Sequence, residues 1–240
     1  MSVVITIYVP EGIVLAADSR LTINWKSMIN GKENLNYSQI SDTTNKVFLL
    51  NDRIAVATFG VADINGVPIA GFVNKFIEQK IDDKTEVDQV GKLLLDFFRE
   101  LKADLGTFFY VVGYKKESGV SVQHIYYVDI FKSQIQRSNQ NKQGLFYGAN
   151  WGGEIEVISR LVGKVKIQKG NDWSELGEAA VPWNFLTMQD AIDFSSFAVR
   201  ATIESFRFQQ RIKTVGGSVD ILVIRPSEQA IWISRKDLHF

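Results

Sequence analysis

Two unbroken apolar runs at the start of the chain narrow the choice of fold. Residues 3–9 and 13–17 are rich in β-branched side chains, and Pro10-Glu11-Gly12 between them has the composition of a tight turn. A strand with one face in water alternates apolar and polar residues, and neither run alternates. The runs therefore predict a hairpin whose strands are covered on both faces, by a second sheet on one side and helices on the other.

A second hairpin of the same kind is predicted further along the chain. Residues 21–45 are polar and rich in asparagine, and we expect there a long excursion with one short strand inside it. Residues 46–50 and 54–58 then flank Asn51-Asp52-Arg53, which has turn chemistry. Two hairpins thus precede any helix.

The remaining elements follow from hydrophobic periodicity. Apolar residues recur at intervals of three and four over 69–77 and 90–101, which predicts two consecutive amphipathic helices. The later elements are strands over 108–114, 122–130 and 133–139, a helix over 154–162, a polar stretch over 163–184, the longest helix, and strands over 219–224 and 230–233.

The order of these elements indicates the fold class. Strands and helices come in blocks, ββ-ββ-αα-βββ-αα-ββ, and the absence of βαβ alternation favours the α+β class. Two packed sheets with helix pairs outside, a four-layer αββα sandwich, would bury strands on both faces. Since no linker or repeat divides the sequence, we expect one domain over residues 1–240.

The composition argues against several functional classes. With 27 basic and 27 acidic side chains, the chain lacks the basic surface through which proteins hold nucleic acid or an anionic membrane. It has no cysteine and only two histidines, of which His124 lies in an apolar run and His239 next to the last residue. We therefore expect no metal site, no cofactor and no Ser-His-Asp triad. An enzyme of this composition would use a base other than imidazole.

The start of the sequence predicts a cytoplasmic protein. It lacks the basic lead and cleavage site of a signal peptide, and no window reaches the roughly 18 apolar residues of a membrane span.

Ser2 is the candidate nucleophile. A small second residue usually permits removal of Met1, which would give Ser2 both a hydroxyl and a free α-amine. Such an amine has a pKa of about 8, so part of it is neutral at pH 7 and can accept a proton. One residue then supplies nucleophile and base, as in N-terminal variants of the catalytic triad. By itself, a serine at position 2 is common and indicates little.

Three later segments carry a family resemblance. They read Gly12-Ile13-Val14-Leu15-Ala16-Ala17-Asp18-Ser19-Arg20, then Lys46-Val47-Phe48 with Gly60 after it, and Gly216-Gly217-Ser218-Val219-Asp220-Ile221-Leu222-Val223-Ile224. Apart from a longer polar excursion before Lys46, this pattern resembles the proteasome β-subunit family of N-terminal nucleophile hydrolases, with its bacterial relatives HslV and Anbu. The resemblance covers nearly the whole chain and implies that family's αββα fold.

The resemblance also implies a role for each matching residue. Lys46 would place positive charge beside the Ser2 hydroxyl and lower the cost of forming an alkoxide. Asp18 would neutralise and orient Lys46, since a lone buried ammonium is costly. Gly60 would offer its N–H to the oxyanion, and Arg20 would support Asp18 or the start of the chain. Without the resemblance, Asp18, Arg20 and Lys46 would be interpreted as surface charges at a solvated hairpin end.

Three positions depart from the family pattern. The family has further polar residues near the nucleophile, and here Ala149, Ile212 and Val215 stand at those positions. The absence of the family's polar side chains at these positions would remove groups that tune the α-amine and the catalytic water. Asn150 or Thr214 could substitute for them.

Two hypotheses therefore stand. The first is a peptidase or amidohydrolase that attacks a peptide or small amide with Ser2, and the second is a non-catalytic scaffold of the same fold. We expect a homo-oligomer, because the longest predicted helix carries phenylalanines on more than one face. Those residues are Phe194, Phe197, Phe206 and Phe208.

Overall fold

The computed structural model describes residues 2–237, apart from the side chain of Leu35. The strands of this part of the chain are β1 (Val3–Val9), β2 (Gly12–Ala17), β3 (Leu21–Ile29), β4 (Lys32–Ser41), β5 (Val47–Asn51), β6 (Ile54–Gly60), β7 (Asp63–Ile64), β8 (Val67–Pro68), β9 (Thr107–Glu117), β10 (Val120–Asp129), β11 (Gln134–Arg137), β12 (Gln140–Asn141), β13 (Gly144–Leu145), β14 (Gly148–Gly153), β15 (Val165–Lys169), β16 (Asp172–Leu176), β17 (Asp220–Ile224) and β18 (Ile231–Ser234). Its α-helices are α1 (Ile69–Lys80), α2 (Val87–Leu101), α3 (Glu156–Val162) and α4 (Met188–Phe208).

Two five-stranded antiparallel sheets form the centre of the fold. The first has the strand order β14-β1-β2-β17-β18, and the second has the order β11-β10-β9-β6-β5. Each predicted hairpin at the start of the chain therefore lies in a different sheet. The predicted combination of helices with antiparallel sheets is confirmed.

Three apolar clusters show how the sheets and helices pack. One joins the second sheet to α1 and α2, and another joins the first sheet to α3 and α4. The third cluster lies between the two sheets. On β1, Ile5 and Ile7 contact the helix side, whereas Val4 and Tyr8 contact the other sheet. This burial of both faces explains why β1 is apolar throughout.

The polar segment at 21–45 is more regular than predicted. Instead of an excursion with one short strand, β3 and β4 form a long antiparallel hairpin. Its tight turn is Asn30-Gly31, and both residues have positive φ angles of 51° and 75°. An Asn-Gly pair is the strongest short-range signal of such a turn. The prediction missed it because the flanking strands are largely exposed and bury few side chains.

Other regions also form strands that the sequence pattern did not predict, and β14 and the hairpin β15–β16 are the longest of them. The stretch expected to be irregular at 163–184 contains the hairpin β15–β16. The strand β14 pairs with β1 along its length, although three of its six residues are glycine. Glycine weakens strand propensity, so periodicity gives little indication of such a strand. Within residues 2–237, no helix is both long and apolar enough to cross a membrane.

Candidate active site

Asp18 and Lys46 form a buried ion pair. Asp18 follows the last residue of β2, and Lys46 precedes the first residue of β5, so the facing of the two sheets brings them together. Lys46 Nζ lies 2.7 Å from Asp18 Oδ1, and the two side chains are 5% and 0% exposed. The interpretation of these charges as a solvated hairpin end is therefore wrong.

Main-chain donors hold the Asp18 carboxylate in place. Its Oδ1 accepts the N–H of Val3 at 2.9 Å, and its Oδ2 accepts the N–H groups of Arg20 at 3.2 Å and Gly216 at 3.0 Å. With Lys46 Nζ, four donors converge on this carboxylate. Such a set of bonds fixes the carboxylate and orients the ammonium beside it.

Burial lowers the pKa of Lys46, and the attraction and hydrogen bond of Asp18 oppose this shift. The positive charges of Lys236 and Arg20 lower the pKa of Lys46 further. Lys236 itself is buried and binds the buried carboxylate of Asp220 through both its main-chain N–H and its ammonium. The sequence prediction did not include this second buried pair.

Ser2 lies beside the ion pair at the start of β1. It is buried, and it lines one small cavity together with Lys46 and Thr58. The cavity has a volume of about 20 Å³, which is room for about one water molecule. The predicted removal of Met1 concerns a residue outside the described part of the chain.

Arg20 supports Asp18 through its main chain and not through its guanidinium. The guanidinium binds Asp42 with two bonds of 2.6 and 2.8 Å and donates to the carbonyl of Lys213 at 3.1 Å. This bidentate pair lowers the pKa of Asp42 and raises that of Arg20. The side chain of Arg20 therefore braces the segment 211–217, which carries the N–H of Gly216 to Asp18.

Gly60 lines a larger cleft next to the cavity. The cleft has a volume of about 460 Å³, and Phe59, Val61 and Ala62 line both spaces. Gly60 has a φ of 103°, and a Cβ at this position would lie 2.4 Å from the carbonyl oxygen of Gly106. Glycine is therefore required at this position for backbone geometry alone. The predicted oxyanion role of its N–H stays a prediction.

The three departures from the family pattern have different surroundings. Ala149 lies opposite Ile7 in β1, several residues from Ser2, and packs on the helix side of the sheet. Ile212 is exposed, and Val215 is buried in the same apolar cluster. The expected proximity of Ala149 to the nucleophile, which rested on the family pattern alone, is therefore wrong.

Of the two predicted substitutes, only Thr214 reaches the surroundings of Ser2. Asn150 Nδ2 lies 3.4 Å from the hydroxyl of Tyr8, which belongs to the cluster between the sheets. Thr214 is buried and donates its hydroxyl to Glu154 Oε1 at 2.7 Å. The main-chain N–H of Glu154 in turn donates to the carbonyl oxygen of Ser2 at 2.7 Å.

Glu154 was not predicted as a site residue. It also lines the cleft, and its Oε2 pairs with Arg211 at 3.3 Å. The available signal was its position directly after Gly152-Gly153, a pair that the sequence places before a helix.

Of the two histidines, His124 lines neither the cavity nor the cleft, and His239 lies outside the described residues. His124 is a buried strand residue with its ring nitrogens bonded to Tyr126 and Glu117, as expected of a structural histidine. Among residues 2–237, no group of three or more histidine, aspartate or glutamate side chains is arranged to hold a metal ion. In comparisons with known proteins, no protein-family model matches the sequence, and no curated protein matches it.

Proposed function

We propose that the protein is a proteasome-like N-terminal nucleophile hydrolase, which uses Ser2, after removal of Met1, to cleave amide bonds in peptides or small amides. The observation that carries this proposal is the position of Lys46, which lines the same cavity as Ser2 and forms a buried ion pair with Asp18. Buried charges are costly, and their presence at a cavity with a hydroxyl is typical of catalytic sites.

The architecture supports the assignment of an αββα fold of the N-terminal nucleophile hydrolase type. Two antiparallel sheets that face each other, each with a pair of helices on its outer side, agree with the αββα arrangement of this family. The matching residues also lie at strand ends near one another, although they are widely separated in sequence.

The proposed reaction begins with proton transfer within Ser2. The α-amine takes the hydroxyl proton, the hydroxyl oxygen bonds to the amide carbon, and the electron pair of the C=O bond moves to its oxygen. The ammonium then gives the proton to the leaving amine, and water releases the acyl group in a second addition. Lys46 stabilises the developing alkoxide, and a main-chain N–H such as that of Gly60 stabilises the oxyanion.

Exposed apolar side chains support the proposed homo-oligomer. On α4, Phe206 is buried, whereas Phe197 and Phe208 are 52% and 79% exposed. On the hairpin β3–β4, Trp25 and Met28 are also exposed. Apolar surface of this kind is typical of faces that contact another protein. We place the protein in the cytoplasm on the sequence features given above.

A covalent probe tests the proposed function. Intact-protein mass spectrometry first establishes whether Met1 has been removed, and an epoxyketone, which requires both a hydroxyl and a free amine, is then added. We expect labelling of the processed protein, none in Ser2→Ala, and a rate lower by at least roughly tenfold in Lys46→Ala. Lys115→Ala is the control. It removes a lysine that pairs with Glu86 and Asp88 and does not line the cavity of Ser2, so the rate of labelling should not change.

The alternative outcome favours the non-catalytic scaffold. If a chain that begins at Ser2 is folded but is not labelled, the amidohydrolase proposal is rejected. Undiminished labelling in Lys46→Ala would likewise reject the role given to the ion pair.

A further inference from the structure

Glu154 is the residue opposite Ser2 at the edge of the first sheet. The ladder between β1 and β14 ends with Val3 opposite Gly153, and the next bond runs from Glu154 N–H to Ser2 O at 2.7 Å. A Cβ at Gly153 would lie 1.8 Å from that carbonyl oxygen. Gly153 therefore lets the two main chains approach closely, so that Glu154 comes directly beside Ser2.

The side chain of Glu154 is nearly buried in a polar cluster of two carboxylates and one guanidinium. It is 13% exposed, accepts the Thr214 hydroxyl at 2.7 Å, and lies 3.3 Å from Arg211. Arg211 also pairs with Glu156 at 2.5 Å and stacks on the ring of Phe206. One guanidinium thus serves two carboxylates, so Glu154 shares its cation with Glu156.

Two other carboxylates near Ser2 each have a cation of their own. Asp18 is paired with Lys46, and Arg20 is paired with Asp42. From the segment 211–217, Lys213 directs its ammonium to the carbonyl of Gln209. Glu154 is therefore the carboxylate next to Ser2 whose cation, Arg211, is shared with a second carboxylate.

We propose that Glu154 is the counter-charge of the free α-amine of Ser2, a positioning residue that stabilises the ammonium formed when this amine takes the hydroxyl proton. The inference rests on the proposed function, in which Ser2 is the first residue. In the transfer, the O–H bond of Ser2 breaks, an N–H bond forms on its α-nitrogen, and the hydroxyl oxygen bonds to the amide carbon. A carboxylate performs the equivalent task for the imidazolium of a Ser-His-Asp triad.

The first test measures the pKa of the α-amine directly. A full-length fusion from which a protease releases Ser2 as the first residue provides the sample without dependence on cellular removal of Met1. The rate of acylation of the α-amine is followed against pH by peptide mass spectrometry. Because an opposite charge nearby favours the ammonium, Glu154→Gln should lower the pKa of this amine by about one unit.

Glu156→Gln is the matched control. It removes the other carboxylate that pairs with Arg211. Because Glu156 lies on α3 and is more exposed than Glu154, the substitution should leave the amine pKa within about 0.3 units of the original. Glu154→Asp retains the charge and should give a smaller shift, which keeps the test decisive if Glu154→Gln does not fold. Equal amine pKa values in the original protein and both Glu154 variants would overturn the proposal, as would an equal shift in Glu156→Gln.

A second readout separates this inference from the proposed function. The rate of epoxyketone labelling is measured as a function of pH. In Glu154→Gln, the acid limb of this profile should lie about one pH unit lower, and the maximal rate should be about tenfold lower. Labelling with an unchanged profile would reject the role of Glu154 and leave the hydrolase standing. A shifted amine pKa without labelling of any variant would reject the hydrolase and leave the counter-charge standing.

Discussion

Replacing Asp18 by asparagine should destabilise the fold through Lys46. The substitution keeps the shape of the side chain but offers one acceptor oxygen and one NH₂ group. Two donors approach each oxygen of the original carboxylate, so either orientation of the amide leaves two donors facing the NH₂ group. It also leaves the Lys46 ammonium buried without its counter-charge. Loss of one partner of a buried pair costs about 3–5 kcal/mol, and we expect a loss of this size at pH 7.

The free energy of unfolding that is lost in Asp18→Asn should also become smaller as the pH rises. Burial lowers the pKa of Lys46 in the folded protein, and the pKa falls further when the attraction of Asp18 is removed. Between the folded pKa and the unfolded value of about 10.4, the unfolded chain binds more protons, so stability rises with pH. This rise begins at lower pH in the variant. The difference in free energy of unfolding between the two proteins should therefore shrink from pH 7 to pH 10.

Urea unfolding followed by tryptophan fluorescence at pH 7 and pH 9.5 measures both effects. Asp42→Asn is the control, because its partner Arg20 is nearer the surface, and it should cost about 1 kcal/mol or less. Adding Lys46→Met to Asp18→Asn should recover part of the loss, since an apolar side chain replaces the buried charge. A loss below about 1 kcal/mol, or one that grows with pH, would refute this account of the pair.

Three further substitutions test other parts of the structure. Gly153→Ala should lower the free energy of unfolding by more than about 2 kcal/mol in thermal melts, because its Cβ would clash with a carbonyl oxygen. Gly119→Ala, at the same positive φ but in open space, should cost only about 1 kcal/mol. Phe206→Ala should cost about 3–5 kcal/mol in urea unfolding, whereas the exposed Phe208→Ala should be close to neutral. Thr187→Ala removes the N-cap of α4 and should cost about 1 kcal/mol, with faster hydrogen exchange in the first turn.

The elements that bury an apolar face could be predicted from the sequence, and those that bury few side chains could not. The hairpin β1–β2 and the amphipathic helices α1 and α2 have apolar patterns set by their surroundings. The hairpin β3–β4 lacks such a pattern, and only its Asn30-Gly31 turn identifies it. Hydrophobic periodicity reports burial, so a strand that buries little gives little signal.

In the candidate site, too, some residues could be predicted from the sequence and others could not. Asp18 and Lys46 were predictable as a pair because they belong to recognisable segments at strand ends. Glu154 was not, because its position beside Ser2 depends on the register between β1 and β14, and the sequence pattern did not predict β14. The pairing of Lys236 with Asp220 depends on how the chain turns back after β18, which no local pattern specifies.

The position of β17 between β2 and β18 affects how the chain folds during its synthesis. In the first sheet, β17 separates β2 from β18, so the hairpin β1–β2 has an open edge until β17 has left the ribosome. Gly216, which donates to Asp18, comes 198 residues after it. Until then the apolar strands β1 and β2 expose an unpaired edge, which is a template for aggregation. We therefore expect the nascent chain to need protection by a chaperone, and the surroundings of Ser2 to form late in biosynthesis.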